Sequence, residues 1–451
     1  MKRLKKFFPP KADQPLAENK IMRQIADLHI HSKYSRACSR DLTLPNIDQW
    51  CHYKGIDIVT TGDFTHPAWF KDIKEQLEPM GNGLFKLRKL FREDRRSDLQ
   101  IASSGGDHVR FILGTEISCI YKQGDKCRRI HINIFFPEIK DVEQFNATLE
   151  KMGCNLKSDG RPIIGLSAKE LARISLEINS EAIIIPSHAW TPWFSIFGSK
   201  SGFDSIEECF GEYAKNIFAI ETGLSSDPPM NWRLSALDKI VLVSNSDAHS
   251  LANLGREANV FDWDKPSYDE FYNTLKNQDK TKFLYTIEFF PEEGKYHLDG
   301  HAACKIVMDP EQTKKNKGIC PVCKKPLTIG VLNRVAAIAD RDKGELDAHV
   351  PYKSLVPLQE IIAEAFDVGK GSKKVQAEYF NIIKKAGSEF TVLLDLSVEE
   401  LKKITDPIIA EGIKRVREGK LFIEPGYDGI YGTVKIFNDK ERKGFEQAKL
   451  I

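Results

Sequence analysis

Short, almost uninterrupted apolar runs recur along the first two thirds of the chain, and most end in side chains able to do chemistry. They read Ile25-Ala26-Asp27-Leu28-His29, Ile56-Asp57-Ile58-Val59-Thr60, Phe111-Ile112-Leu113-Gly114-Thr115-Glu116 and Arg129-Ile130-His131-Ile132-Asn133-Ile134. Residues 182–188, 217–221 and 240–244 continue the series. Strands apolar on both faces belong to a largely parallel sheet or barrel covered by helices. Between them lie helical patterns such as residues 167–174, where Ser167 and Glu170 have capping-box spacing. The alternation from Ile25 to Asp262 predicts a (β/α) barrel, with its chemistry at the C-terminal ends of the strands. Within an insertion from Gly81 to Gly106, the basic stretch from Leu84 to Phe91 has the spacing of a helix packed on that barrel. Beyond Pro291 the texture changes to a Cys/His cluster and then to helical segments at 331–341, 354–366, 373–386, 397–404 and 413–420. The predicted organisation is an N-terminal extension (1–24), a barrel (25–292), a metal-binding lobe (293–343) and a C-terminal helical region (344–451).

At 451 residues, 41% hydrophobic and 29% charged, the chain has the composition of a folded protein with several units. Lys and Arg (66) nearly balance Asp and Glu (64), so net charge alone supports no polyanionic partner. The balance is uneven, because residues 295–451 hold 27 basic against 23 acidic side chains. No run of about 20 apolar residues exists to span a membrane. The start, Met1-Lys2-Arg3-Leu4-Lys5-Lys6, lacks the apolar run of a signal peptide, and a cytoplasmic location is expected. Nine cysteines, six scattered and three clustered, read as free thiols plus a metal site.

His29-Ile30-His31 puts two imidazoles on one side of an extended strand, an arrangement suited to holding a divalent ion. Alone the pattern is weak. Here it is joined by Asp63 and His66 after the second run, Glu116 ending the third, His131 in the fourth, His188 ending the fifth, and Asp247-Ala248-His249 after the last. This order resembles the polymerase and histidinol phosphatase (PHP) superfamily. The resemblance implies a distorted (β/α)7 barrel holding two or three divalent ions, Zn, Mg or Mn, and hydrolysing phosphoesters. Carried over to these positions, it implies one ion on His29, His31, Glu116 and Asp247. Glu116 would bridge to a second ion on His131 and His188, and Asp63, His66 and His249 would complete a third. Asp247, Glu116 and His249 would stand nearest the chemistry. The chain departs from many members in having His31-Ser32-Lys33-Tyr34 and Asp63-Phe64-Thr65-His66 where they carry Ser-Asp-Gly and an adjacent Asp-His, which points to a subgroup.

Cys320-Pro321-Val322-Cys323 has the knuckle spacing that lets two thiolates grip one Zn²⁺, and Cys304 with His301 or His297 supplies the rest. His301, Cys304, Cys320 and Cys323 are taken as ligands of one closed structural zinc site. With this cluster the chain resembles the endonuclease Q family over about residues 25–436. Supporting segments include His188-Ala189-Trp190-Thr191-Pro192-Trp193-Phe194, Ser244-Asn245-Ser246-Asp247-Ala248-His249 and Glu424-Pro425-Gly426-Tyr427-Asp428-Gly429. The resemblance implies a DNA-repair endonuclease that nicks on the 5′ side of deaminated bases, namely hypoxanthine, uracil and xanthine, with abasic sites beside them. Aromatic faces at Trp190, Trp193 and Phe194 either stack on bases or plug the barrel mouth. Lys200, Lys370 and Lys373, the last two in Gly369-Lys370-Gly371-Ser372-Lys373-Lys374 opening a helix, either meet phosphate or are ordinary solvated charge. Two other readings compete: a small-molecule phosphoesterase of the same superfamily, and a nucleic-acid-binding protein with an inactive barrel.

Overall fold

The computed structural model describes residues 22–92, 109–344, 349–438 and 441–442. All but residues 22–24 of the expected N-terminal extension, and the Gly81–Gly106 insertion from residue 93 onward, lie outside the described residues.

Strand Arg23–Asp27 pairs in parallel with Ile58–Thr60 on one side and antiparallel with Ala258–Asp262 on the other. Ile58–Thr60 continues in parallel onto Arg110–Gln123, which pairs antiparallel with Lys126–Phe136, and that strand with Ile183–Pro186. Ala219–Glu221 and Val241–Val243 form a separate parallel pair. With helices such as Leu44–Lys54, Ile139–Lys151 and Ala168–Ile178 around them, these strands make the distorted (β/α)7 barrel. The expectation of a largely parallel sheet does not hold at Arg110–Gln123 and Lys126–Phe136. A two-residue link at Gly124-Asp125 can join only antiparallel neighbours. The expected single helix at Leu84 to Phe91 is also replaced. Phe85–Leu87 is a strand paired with Leu77–Pro79, because Phe85 and Leu87 alternate into the core, and a short helix Lys89–Arg92 follows.

Ser167 caps helix Ala168–Ile178 by accepting from the Glu170 N–H at 3.1 Å, while the Glu170 carboxylate turns outward to Arg173. Val59, Phe111, Leu113, Ile132, Ile134 and Ile184 are buried in the main core, each stabilising the fold by roughly 1.5–3 kcal/mol. Among the described residues no helix is long and apolar enough to cross a membrane.

After the barrel comes a small lobe: hairpin Asp299–His301 with Ile306–Met308, then helix Pro310–Lys315 with a full Asp309/Gln312 capping box. The helical region contains Leu358–Ala365, Lys373–Ala386, Val398–Ile404 and Pro407–Arg417. The last begins six residues earlier than its apolar pattern suggested, because Asp406 caps it and Pro407 suits the first helical position. Ser354, expected to open a helix, instead ends strand Tyr352–Ser354, which pairs in parallel with Thr286–Glu288 of the barrel.

The helical region is locked to the barrel by buried charge. Lys54 Nζ lies 2.7 Å from Glu389 Oε2, both side chains almost fully buried, and Glu389 also accepts from Tyr379 Oη (2.8 Å) and the Leu358 N–H (3.0 Å). Gly55, at φ +84, ends the Lys54 helix where an added Cβ would sit 2.5 Å from Ser388 Oγ. Lys54→Met strands the Glu389 carboxylate in the interface and is expected to cost about 3–5 kcal/mol. Thermal unfolding checks this: the single variant melts early, and adding Glu389→Gln recovers most of the loss. An unchanged melting temperature for Lys54→Met would remove the pair from the interface energetics.

Candidate metal centre and adjoining cavity

Three strand ends and two mid-strand positions deliver the polar groups to one place. His29 and His31, His188, and Asp247 and His249 follow their strands, whereas Glu116 lies within Arg110–Gln123, not at the strand end expected for it, and His131 lies within Lys126–Phe136. His29 and His31, just past Arg23–Asp27, turn their Nε2 atoms toward the same two carboxylates. His29 Nε2 lies 3.5 Å from Glu116 Oε2 and 3.7 Å from Asp247 Oδ1, and His31 Nε2 lies 3.5 and 3.1 Å from the same atoms. On its other oxygen Glu116 meets His131 Nδ1 at 2.8 Å and His188 Nε2 at 3.2 Å. Three ligand-spaced groups result: His29, His31 and Glu116; Glu116, His131 and His188; and His31, Asp247 and His249.

The donor set fits divalent ions. His29 Nε2 is buried with no hydrogen-bond partner, while its Nδ1 is held by Glu221 at 3.0 Å. His31 Nδ1 is likewise held by Asp63 Oδ1 at 3.0 Å. Carboxylates behind imidazoles set the ring orientation that a metal ligand needs. Asp63, His188 and Asp247 adopt left-handed backbone (φ +48, +29 and +46), conformations that persist only where surroundings impose them and that gather at functional sites. The Asp247 loop is held by Arg256, which donates to the Ser246 and Asp247 carbonyls at 2.8 and 3.4 Å.

Electrostatics agree. Burial disfavours charge on His31, yet the Asp63 and Asp247 carboxylates outweigh it and raise its pKa to about 9. Burial alone would raise Glu116, but His131, Arg161 and His29 take it well below the usual carboxylate range. His131 goes the other way: burial outweighs Glu116 and lowers it to about 4, so it stands neutral and ready to coordinate. The His29–His31 end attracts positive charge, and without an ion protons supply it. A metal there must displace the His31 proton. Apparent affinity is therefore expected to rise roughly tenfold per pH unit between pH 6 and 9 for each proton displaced, and to level off above about 9. Competition with a chelating dye on metal-free protein checks this, and a pH-independent affinity would exclude His31 from coordination.

Placement differs from expectation at several residues. Asp63 and His66 are not gathered with His249. Asp63 lies behind His31, its second oxygen taken by Ser32 N–H (2.6 Å), Ser32 Oγ (2.7 Å) and Ser35 Oγ (2.8 Å), while His66 stacks on Tyr34 at 4.4 Å. His249 joins His31 and Asp247 instead. Trp190 corrects the expected aromatic surface: it is fully buried, with Nε1 donating to Asn231 Oδ1 at 2.7 Å, because the strand-following turn tucks its large ring into the core. Phe194 packs on the His131 ring at 4.8 Å, and Trp193 is 40% exposed. Lys200, Lys370 and Lys373 are exposed, and Lys370 pairs with Glu360 at 2.8 Å. His301, Cys304, Cys320 and Cys323 come together in one group, and His297 stands apart from it beside the cavity described next.

Two site residues were missed from the sequence. Glu221, the carboxylate ending an apolar strand, holds His29 and the His188 N–H (2.8 Å); its strand-end position was the available signal. Arg161 donates to Glu116 Oε2 at 3.0 Å from a loop whose Gly160 leaves no room for a side chain, since a Cβ there would lie 2.3 Å from Asp63 Oδ2. Nothing local in the sequence marked that arginine.

Beside the centre opens a cavity of about 870 Å³ between barrel, Cys/His lobe and helical region. Its wall includes Thr191, Phe194 and Arg256, each touching a residue of the centre, together with Trp193, Tyr296 and Lys370.

The barrel with its clustered imidazoles and carboxylates defines a PHP-type fold. Over 95% of its length the chain superposes on 99% of the lesion-specific endonuclease PfuEndoQ from Pyrococcus furiosus, with a TM-score of 0.79 and 31% identity. Endonuclease Q in complex with a 27-mer duplex carrying an abasic lesion at its active site matches equally (TM-score 0.78, 31% identity, 94% of this chain and 98% of that one). The chain belongs to the endonuclease Q family. It is also 30% identical to YqxK of Bacillus subtilis over 432 residues, covering 91% of this chain and 98% of that protein. It is 36% identical to MJ0043 of Methanocaldococcus jannaschii over 254 residues, which is 55% of this chain but only 31% of that protein's length. Residues 357–420 match the MJ0043 C-terminal domain family.

Proposed function

We propose that the protein is a DNA-repair endonuclease that takes a deaminated base out of the duplex and hydrolyses the phosphodiester on its 5′ side, acting on hypoxanthine, uracil, xanthine and abasic sites. In this reading residues 25–292 carry the hydrolysis, a structural zinc on His301, Cys304, Cys320 and Cys323 organises residues 293–343, and residues 344–451 help to hold the DNA. The observation that carries it is the contact between the His/carboxylate centre and a cavity large enough for an extruded nucleotide.

His29, His31, Glu116, His131, His188, Asp247 and His249 would hold two or three divalent ions. Bound there, such ions supply Lewis acidity and neutralise charge developing on the phosphoryl oxygens. The chain's own residues do the positioning. Glu221 and Asp63 aim His29 and His31 inward, Glu116 serves two groups at once, and Arg256 fixes the backbone of Asp247. Deamination replaces an amine by a carbonyl. The cavity presents the donor-only side chains of Arg129, Arg256 and Lys295, which suit a carbonyl, beside the acceptor Glu293 and the Lys370–Glu360 pair.

The test uses end-labelled duplexes with one hypoxanthine, one uracil, one abasic site or none, resolved beside a sequencing ladder. A single nick 5′ of each lesion and none in the control is expected. Uncut lesions, or equal cutting of the control, would refute the assignment.

A further inference from the structure

Large apolar side chains are concentrated at the surface of one hairpin. Phe422, Ile423, Ile430 and Tyr431 are all exposed, on or beside strands Phe422–Glu424 and Thr433–Lys435, and Tyr431 is 70% exposed. Exposed apolar clusters of this kind mark interaction surfaces.

The hairpin loop is held rigidly. Tyr427 and Ile430 exchange both backbone hydrogen bonds (3.0 and 2.8 Å) across Asp428 and Gly429, whose φ of +43 and +87 suit a type I′ turn. Asp428 accepts from the Ala302 N–H at 2.6 Å and from Thr328 Oγ1 at 2.5 Å, tying the turn to the Cys/His lobe. Gly426 and Gly432 donate to the Glu292 and Glu293 carbonyls at 2.8 and 3.1 Å, tying it to the barrel exit. Tyr431 is therefore presented by a fixed frame. It borders the cavity beside the centre, and Lys295 lies over both its ring (5.6 Å) and that of Tyr296 (5.7 Å), so the exposed aromatic sits next to positive charge.

We infer that Tyr431, backed by Ile430, is the wedge that enters the base stack of duplex DNA and fills the space left by the nucleotide drawn into the cavity. This rests on the nuclease reading above. A nucleotide that leaves the stack forfeits its stacking on both neighbours, and an aromatic ring inserted there restores part of it. A protein partner would use the apolar area without needing a cavity beside it; a duplex with one base withdrawn uses both. Lesions in single strands need no wedge.

The experiment compares full-length wild type, Tyr431→Ala and Tyr431→Phe on one uracil-containing strand, single and in duplex. A second readout is the fluorescence of 2-aminopurine placed beside the lesion in the duplex, bound to the uncleaving Asp247→Asn protein with and without Tyr431→Ala. The expected result is that Tyr431→Ala loses duplex cleavage about tenfold more than single-strand cleavage and loses most of the fluorescence rise, while Tyr431→Phe keeps both. Equal loss on the two substrates, or an unchanged fluorescence rise, would overturn the wedge and leave the patch to a protein partner. Wild type that cuts neither substrate would instead overturn the nuclease reading itself, and the wedge with it.

Discussion

Asp247→Asn is expected to yield a folded protein that still binds damaged duplex and scarcely cuts it. Asparagine has the same shape and tolerates the left-handed backbone (φ +46) that Asp247 adopts, so the loop survives. The anion does not. Asp247 Oδ1 lies 3.1 Å from His31 Nε2 and 3.7 Å from His29 Nε2, and although burial opposes its charge, those rings hold its pKa below the ordinary carboxylate range. Removing one anionic ligand from a shared cluster takes away several kcal/mol of transition-state stabilisation, and single-turnover cleavage should fall about 10³-fold. Fluorescence anisotropy with a labelled duplex supplies the control, with affinity within a few fold of wild type. Undiminished turnover would remove Asp247 from the reacting centre.

The second large effect is structural. Cys320→Ser is expected to release one zinc equivalent per chain and to unfold the lobe around residues 297–328. The lobe's own buried apolar cluster is only Met308, Cys320 and Leu327, too little to offset the ordering of its hairpin and helix. Structural zinc supplies roughly 10–16 kcal/mol of apparent binding free energy in small metal-dependent folds, so its loss is decisive here. The damage should spread to the cavity, because His297 and Tyr296 line it and Asp428 of the hairpin anchors on Ala302. Metal analysis by mass spectrometry and protease digestion read this directly. Zinc content equal to that of wild type, or a lobe that stays protease-resistant without it, would count against a structural site.

Much of this centre was legible because its parts are local. Alternation along a strand puts His29 and His31 on one side, and the apolar runs before His188 and Asp247 mark strand ends where a barrel does chemistry. Glu116, read as ending its run, lies inside the longer strand Arg110–Gln123. The Cys320/Cys323 knuckle likewise needs only four consecutive residues. Ranking within the centre was not local. Asp63 and His249 are equally competent donors on paper, and only the packing of Ser32 and Ser35 around Asp63 turns it into the carboxylate that orients His31.

The same division runs through the whole molecule. Local pattern and spacing determined the barrel, most of its clustered imidazoles and carboxylates, the Cys/His cluster and most of the C-terminal helices. Tertiary structure decided which aromatics face outward, burying Trp190 and exposing Trp193 and Tyr431, since a turn's residues give no periodicity from which to read a direction. It also decided that Arg161 meets Glu116 across 45 positions of sequence, that Glu389 pairs with Lys54, and that a cavity opens where three parts of the chain meet. Those features depend on contacts between segments far apart in the chain, and such contacts are set by how packed elements lie in space, which no short window of sequence encodes.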